Sequence, residues 1–258
     1  MYKYLYILAF LFFFSCAKVK VLIPIEVDQT LGEQFSAQMN AHPMQGEILD
    51  YTKNKKTYLY LEQIKANLLK SDAINHKKDF KWELKIIKND STLNAFCVAG
   101  GYIYVYTGLI KFLDNEAELA GVLAHEIAHA DCRHTTMRMA SEYGASVLIS
   151  MFVGGDMSVL VNIGKELLGL SFSRTDEQEA DEMAVTYLYD TPYDPRAVGG
   201  FFKKMIERHK DAKIPAFLST HPSSDTRVAD IEATWQKLGS KPGKYFELEY
   251  KEAKKAMD

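Results

Sequence analysis

Hydrophobic and polar positions along the chain separate into helical, alternating and nearly continuous apolar stretches. A short helix is expected over Leu31–Met39, ended by the break at His42-Pro43. Apolar residues at 58, 61, 64, 68 and 69 carry the period of an amphipathic helix from Tyr58 to Leu69. Phe80 to Ile86 alternates apolar and charged residues, a half-buried strand ending near Asn89-Asp90. Asn94 to Gly108 holds two β-rich runs around Ala99-Gly100-Gly101, a hairpin signal. In its second run Ile103 and Val105 share one face and Tyr102, Tyr104 and Tyr106 the other. From Asn115 to His134 the chain reads NEAELAGVLAHEIAHADCRH, apolar almost all round between Ala117 and Ala130, which predicts one long buried helix. Asn115 with Glu118 three residues on gives that helix a capping box. Residues 141–170 predict two apolar, glycine-spotted helices covering a cleft, neither long enough to span a bilayer. Residues 176–190 predict an acidic helix, and from Lys241 a strand-like KYFELEY leads into a charged surface tail. The sum is an α+β domain, mostly helical, with a small sheet beside the long helix.

Composition narrows this to one domain with a sizeable core: 258 residues, 47% hydrophobic and 25% charged. A net charge of −3 without a basic aromatic stripe excludes a nucleic-acid binder. The start, MYKYLYILAFLFFFSC, has one lysine, then an apolar run from Tyr4 to Phe14, then Ser15 and Cys16. That run has the length of an export signal's apolar core, and a cysteine directly after a small residue resembles a bacterial lipoprotein processing site, with Cys16 the lipidated residue. The expected divisions are therefore a signal over 1–16, a mature N-terminal segment over 17–56, the main domain over 57–240 and a tail over 241–258. Cys97 and Cys132 are expected to be separate buried thiols rather than a pair.

The chemistry lies in the long helix, which carries His125-Glu126-x-x-His129. Two histidines four apart on a helix sit about 40° apart around its axis, one turn up, as two ligands of a tetrahedral ion must. The glutamate beside the first can act as general base toward a water. Two histidines and a glutamate inside a buried helix require such compensation. A third protein ligand is needed, from His134, His221 or the acids between Asp176 and Glu182. Extended along the same helix, His134 would stand about 140° round from His129 and point away. In the acidic helix, Ala180, Ala184, Tyr187 and Leu188 form the apolar stripe, with Glu177 and Asp181 on or beside it. Glu179 aligns with Glu182, Thr186 and Asp190 on a polar outer face. Glu177 is thus the expected third ligand, and Asp181, one turn on, is placed to accept a hydrogen bond from a ligand histidine. The run over 94–106 suits an edge strand that holds a substrate peptide by strand addition, with Asn94, Ala95 and Phe96 at its head.

NAF…GGYIYVYTGL, NEAELAGVLAHEIAH…RH, SRTDEQEAD and STHPSSDTR lie in order from Asn94 to Arg227. In these four blocks the chain resembles the gluzincin metallopeptidases related to HtpX and the CAAX prenyl protease, in their soluble envelope branch of BepA- and LoiP-like lipoprotein peptidases. The resemblance implies a zincin-like fold and one zinc ion per chain, held by His125, His129 and Glu177, with Glu126 as catalytic base and Asp181 orienting a ligand histidine. It further implies that His221 and Arg227 lie near the cleft. His221 either stabilises the oxyanion or occupies the open zinc position in a resting state. The implied activity is hydrolysis of polypeptides in the bacterial cell envelope, with the membrane reached through the N-terminal lipid. The runner-up is a non-proteolytic assembly factor with a zinc site.

Overall fold

The computed structural model describes residues 23–43, 46–154, 162, 171–208, 216–222 and 226–255. The expected export signal over 1–16, Cys16 included, and all but one residue of the second apolar run over 157–170 lie outside the described residues. The chain runs α1 (Ile25–Ala41), β1 (Glu47–Ile48), α2 (Lys55–Leu68), β2 (Glu83–Lys88), β3 (Ala95–Val98), β4 (Tyr102–Tyr106), α3 (Thr107–Phe112) and α4 (Glu116–Asp131). It continues through α5 (His134–Tyr143), α6 (Ala145–Gly154), α7 (Arg174–Tyr189), α8 (Ala197–Arg208), α9 (Ala216–Thr220), α10 (Arg227–Lys237) and α11 (Glu247–Lys255). It is mostly helical with one small sheet, the α+β, zincin-like architecture expected. No helix among the described residues is long and apolar enough to cross a membrane.

The sheet order is β1-β2-β4-β3. β2 and β4 are parallel, with Leu84 opposite Ile103, and the two outer pairs are antiparallel. The β3–β4 hairpin turns on Gly100 and Gly101, at φ 77° and 82°, where a side chain would be strained and, at Gly101, would press on the Trp82 ring. Both faces of β4 are buried. Ile103 and Val105 join the core under α4, whereas Tyr102, Tyr104 and Tyr106 pack with Phe35 and Met39 of α1. The helix expected over Leu31–Met39 is longer than its pattern suggested. Val27, Leu31, Phe35 and Met39, spaced by four, bury one stripe of a 17-residue helix. Its Gly32 lies so close to Ala99 O and Tyr102 that a Cβ would not fit.

Three expected boundaries move. Strand β2 begins at Glu83 rather than Phe80, because Trp82 takes a positive φ of 48° and interrupts the extended run. The long helix stops at Asp131. Arg133 adopts a left-handed conformation (φ 61°, ψ 31°), and His134 opens a new helix. The tail is a helix, not a strand: within it Tyr250 is the buried residue, its hydroxyl donating to Ile110 O at 2.6 Å. Its acids at the N-terminus and lysines at the C-terminus match the helix dipole.

Helix α4 is the axle. All its residues from Ala117 to Asp131 are buried, with α7, α8, α2 and β3 packed around it. Its Gly121 permits close approach of α8, since a Cβ there would sit 3.0 Å from Val198 N. Each fully buried Leu or Ile in this core contributes about 1.5–3 kcal/mol. Asn115 Oδ1 accepts from Glu118 N at 2.9 Å as expected, while Glu118 answers on the Asp114 N–H instead of Asn115. Cys97 and Cys132 are buried and outside any disulfide.

Candidate metal centre

Helix α4 presents His125 and His129 one turn apart, with their Nε2 atoms 3.0 Å from each other. Helix α7 begins at a true capping box, Ser173 with Asp176, and one residue later delivers Glu177 inward. Glu177 Oε1 stands 3.4 Å from His129 Nε2, and Oε2 stands 3.5 Å from His125 Nε2. The third element is the residue after α9. His221 Nδ1 lies 3.0 Å from Glu177 Oε1 and 3.3 Å from His125 Nε2. Phe217, one turn earlier, stacks on the His221 ring at 4.3 Å, and its N–H donates to Leu93 O just before β3. The four residues are 0–3% exposed, so water cannot compensate their polar atoms.

Their spacing suits a metal ion. Donors about 2.0–2.1 Å from a tetrahedral zinc ion stand roughly 3.3 Å apart, and the separations here run from 3.0 to 3.5 Å. Glu177 Oε2 is buried without a hydrogen bond, although Arg227 Nη2 is 2.9 Å away in poor directional geometry. Two imidazole nitrogens facing each other at 3.0 Å, beside an unsatisfied carboxylate oxygen, fit a cation between them.

The electrostatics follow from burial and neighbours. Burial works against charge on His125, but the hydrogen bonds and charge of Asp181 and Glu177 overcome it and push its pKa up to about 9. Burial holds His129 well below the ordinary histidine value. Burial would raise Glu177, yet His221, His125 and His129 around it hold its carboxyl far below the usual range. Glu126 is raised, chiefly by burial. One of its oxygens accepts from the Cys97 N–H at 3.0 Å, and the other lies 3.4 Å from His221 Nε2 without a hydrogen bond.

Around the donors, Asp181 Oδ1 is 3.0 Å from His125 Nδ1. Asp181 is in turn gripped by Arg227, through Nε at 2.5 Å and Nη2 at 2.8 Å. Arg227 also lies on the face of Phe202, 3.5 Å from its ring centre, so it touches both Glu177 and Asp181 of α7 from a buried position. Asn94 precedes and Ala95 opens β3, the terminal strand of the sheet next to β4. Asn94 O accepts from Tyr106 N, and Asn94 Oδ1 is buried with no partner. Ala95 and Cys97 face α4, whereas the Phe96 ring stacks on Tyr104 on the opposite, α1 face. Three contributors escaped the sequence reading: the Cys97 N–H, Phe172, which stacks on His129 at 4.1 Å, and His134. His134 stays outside the donor group, on the side of His129 away from the other donors, but it is not idle. The turn at Arg133 brings its Nδ1 to 2.9 Å from His129 Nδ1. Only a helix break at Cys132-Arg133 would have revealed it, and neither residue announces one.

A HExxH helix, a facing acid from a second helix and an adjacent edge strand define a metallopeptidase domain. Residues 55–235 match the model of peptidase family M48, and the chain belongs to that family. It is 35% identical over 183 residues to "Mitochondrial metalloendopeptidase OMA1" of Schizosaccharomyces pombe, covering 68% of this chain and 52% of that protein. It is 32% identical over 181 residues to "Beta-barrel assembly-enhancing protease" of Yersinia pestis, covering 64% of this chain and 36% of the relative. To the protein of that name in Escherichia coli K12 it is 30% identical over 182 residues, covering 64% and 37%. The chain thus spans from about a third to about half the length of these relatives.

Proposed function

We propose that this chain is a zinc-dependent metalloendopeptidase of the bacterial cell envelope that cleaves misfolded or misassembled envelope proteins. One observation carries the reading: a buried donor group, a carboxylate beside it and the terminal strand of the sheet meet at one point, where Cys97 N–H of β3 touches Glu126. His125, His129 and Glu177 would hold the ion. When bound, zinc supplies Lewis acidity, polarising the scissile carbonyl and lowering the pKa of a water toward about 7. Glu126, one oxygen fixed by the Cys97 N–H, would take a proton from an attacking water on the oxygen facing the donors and later pass it to the leaving amine. A substrate laid against β3 would be read through backbone hydrogen bonds, with Asn94 and Ala95 at the entry and the Phe96 ring anchoring the strand from behind. His221 already contacts Glu177 and His125, which supports a resting arrangement in which it takes the open position. Displaced by substrate, it is placed to stabilise the oxyanion.

The envelope assignment rests on the apolar run and Cys16 at residues 1–16 and on the similarity to beta-barrel assembly-enhancing proteases. The lipid at Cys16 would hold the domain at a membrane. The complete burial of the donor group supports a second reading, a non-proteolytic assembly factor that keeps its zinc shut away. The test is β-casein cleavage by zinc-loaded wild type, Glu126→Gln and His221→Ala. Cleavage by wild type or His221→Ala, abolished by chelator and reduced at least ~100-fold in Glu126→Gln, is the expected result. Zinc-loaded protein inert in every form would favour the assembly factor, and wild-type turnover in Glu126→Gln would remove Glu126 as the base.

A further inference from the structure

His125 and His129 both have a second ring nitrogen, and each is held, but by different chemistry. His125 Nδ1 meets Asp181, which is locked by Arg227. His129 Nδ1 meets an imidazole instead of a carboxylate. It faces His134 Nδ1 at 2.9 Å, and the far nitrogen of that ring, Nε2, is 3.2 Å from Glu179 Oε2. His134 is 2% exposed, and the Glu179 side chain is 45% exposed. A chain of three side chains therefore runs from the buried donor group to solvent. Asp176, the other acid near His134, is 4.0 Å away and bonded to Ser173 in the helix cap.

Hydrogen placement along this chain has one solution compatible with a metal on His129 Nε2. Between two facing Nδ1 atoms one must donate and the other accept. If His129 gives its Nε2 lone pair to an ion, its proton is on Nδ1 and it is the donor. His134 must then accept on Nδ1 and carry its proton on Nε2, where Glu179 accepts it. Reversing the chain would put a proton on His129 Nε2 and forbid ligation there. Phe172 stacks on the His129 ring and limits its rotation, so the hydrogen-bonded nitrogen sets the direction of the other.

We propose that Glu179 and His134 form a positioning chain that holds His129 in the Nδ1–H tautomer, leaving Nε2 for the metal. This rests on the zinc reading above and adds to it residues outside the donor set. Cys132, His134 and Glu179 also lie close enough together to suggest a separate cation site. Against that, His134 already has a partner at each ring nitrogen.

Two measurements test it. Zinc affinity is read by competition with a chromophoric chelator for wild type, Glu179→Ala and Glu179→Gln. Losing an outer partner weakens metal binding about 10–100-fold, so Glu179→Ala should fall in that range, whereas Glu179→Gln, whose carbonyl still accepts, should stay within roughly a few-fold of wild type. Glu179 is half-exposed, and the metal-free circular dichroism of both variants should match wild type. Nitrogen-15 spectra of histidine-labelled, zinc-loaded protein, assigned with His134→Asn, should show His134 protonated on Nε2 only. Unchanged zinc affinity in Glu179→Ala, a His134 proton on Nδ1, or a second zinc equivalent lost with Cys132→Ser would each overturn the proposal while leaving the main site standing. Wild type that binds no zinc would overturn both.

Discussion

Glu179 follows Glu177 by two positions, and two positions turn a helical side chain by about 200°. Glu177 therefore lies 3% exposed among three imidazoles, while Glu179 reaches the surface side of His134. Replacing each by glutamine separates their roles. Glu177→Gln removes the anionic donor and should lose most bound metal on gel filtration. Glu179→Gln should retain close to one equivalent. Metal analysis with the opposite ranking would refute the assignment of the α7 faces. That assignment was legible because Ala180, Ala184, Tyr187 and Leu188 mark the buried side with a regular period. The second partners were legible only where they share an element with a ligand. Asp181 follows Glu177 by one turn and could be read. His134 could not, because its position depends on a single left-handed residue, Arg133, that redirects the chain after α4. The Cys97 N–H could not be read either, since a backbone donor carries no side-chain signature.

At the scale of elements, that left-handed residue links α1 to the centre. Arg133 adopts a conformation costing a non-glycine residue roughly 1–2 kcal/mol, and its guanidinium offsets this with bonds to Asp28 Oδ2 at 2.6 Å and to the carbonyls of Ile23 and Pro24. Asp28 is fully buried and also accepts from Thr136 at 2.7 Å on α5. Burial raises its pKa despite Arg133 beside it, the sign of a carboxylate dependent on its partner. Arg133→Ala would leave that acid unpaired, and urea unfolding should show a loss of about 3–5 kcal/mol. Arg133→Ala combined with Asp28→Ala should cost less than the two single losses added together. Additive losses would mean that the pair is not coupled. The sequence pattern showed α2, the hairpin and the buried stretch of α4 because each writes its own period. It under-read α1, whose buried stripe is interrupted by Asp28, Gly32 and Ser36, polar or small residues that only the packed neighbours explain.

Over the whole molecule, the donor group joins parts of the chain that local packing brings together from far apart: His125 is 96 residues from His221, and Glu177 is 44 from it. The parallel pairing of β2 with β4, which no local pattern encodes, sets β3 beside α4, and α9 docks next to its start through the Phe217 N–H and Leu93 O. Without a cation, this arrangement gathers buried nitrogens and carboxylates whose attraction must offset their own desolvation. An ion bound only by the folded chain adds RT ln(1 + [L]/Kd), about 4 kcal/mol at a thousandfold excess over Kd. For a domain of this size, each kcal/mol moves the midpoint by roughly 2–4 °C. Chelation should therefore lower the melting temperature of zinc-loaded wild type by about 8–16 °C under that excess. Glu177→Gln, unable to retain the ion, should melt at nearly the same temperature with and without chelator. Equal chelator shifts in the two proteins would place the stabilising ion elsewhere, and no shift in wild type would mean that the three elements hold together without one.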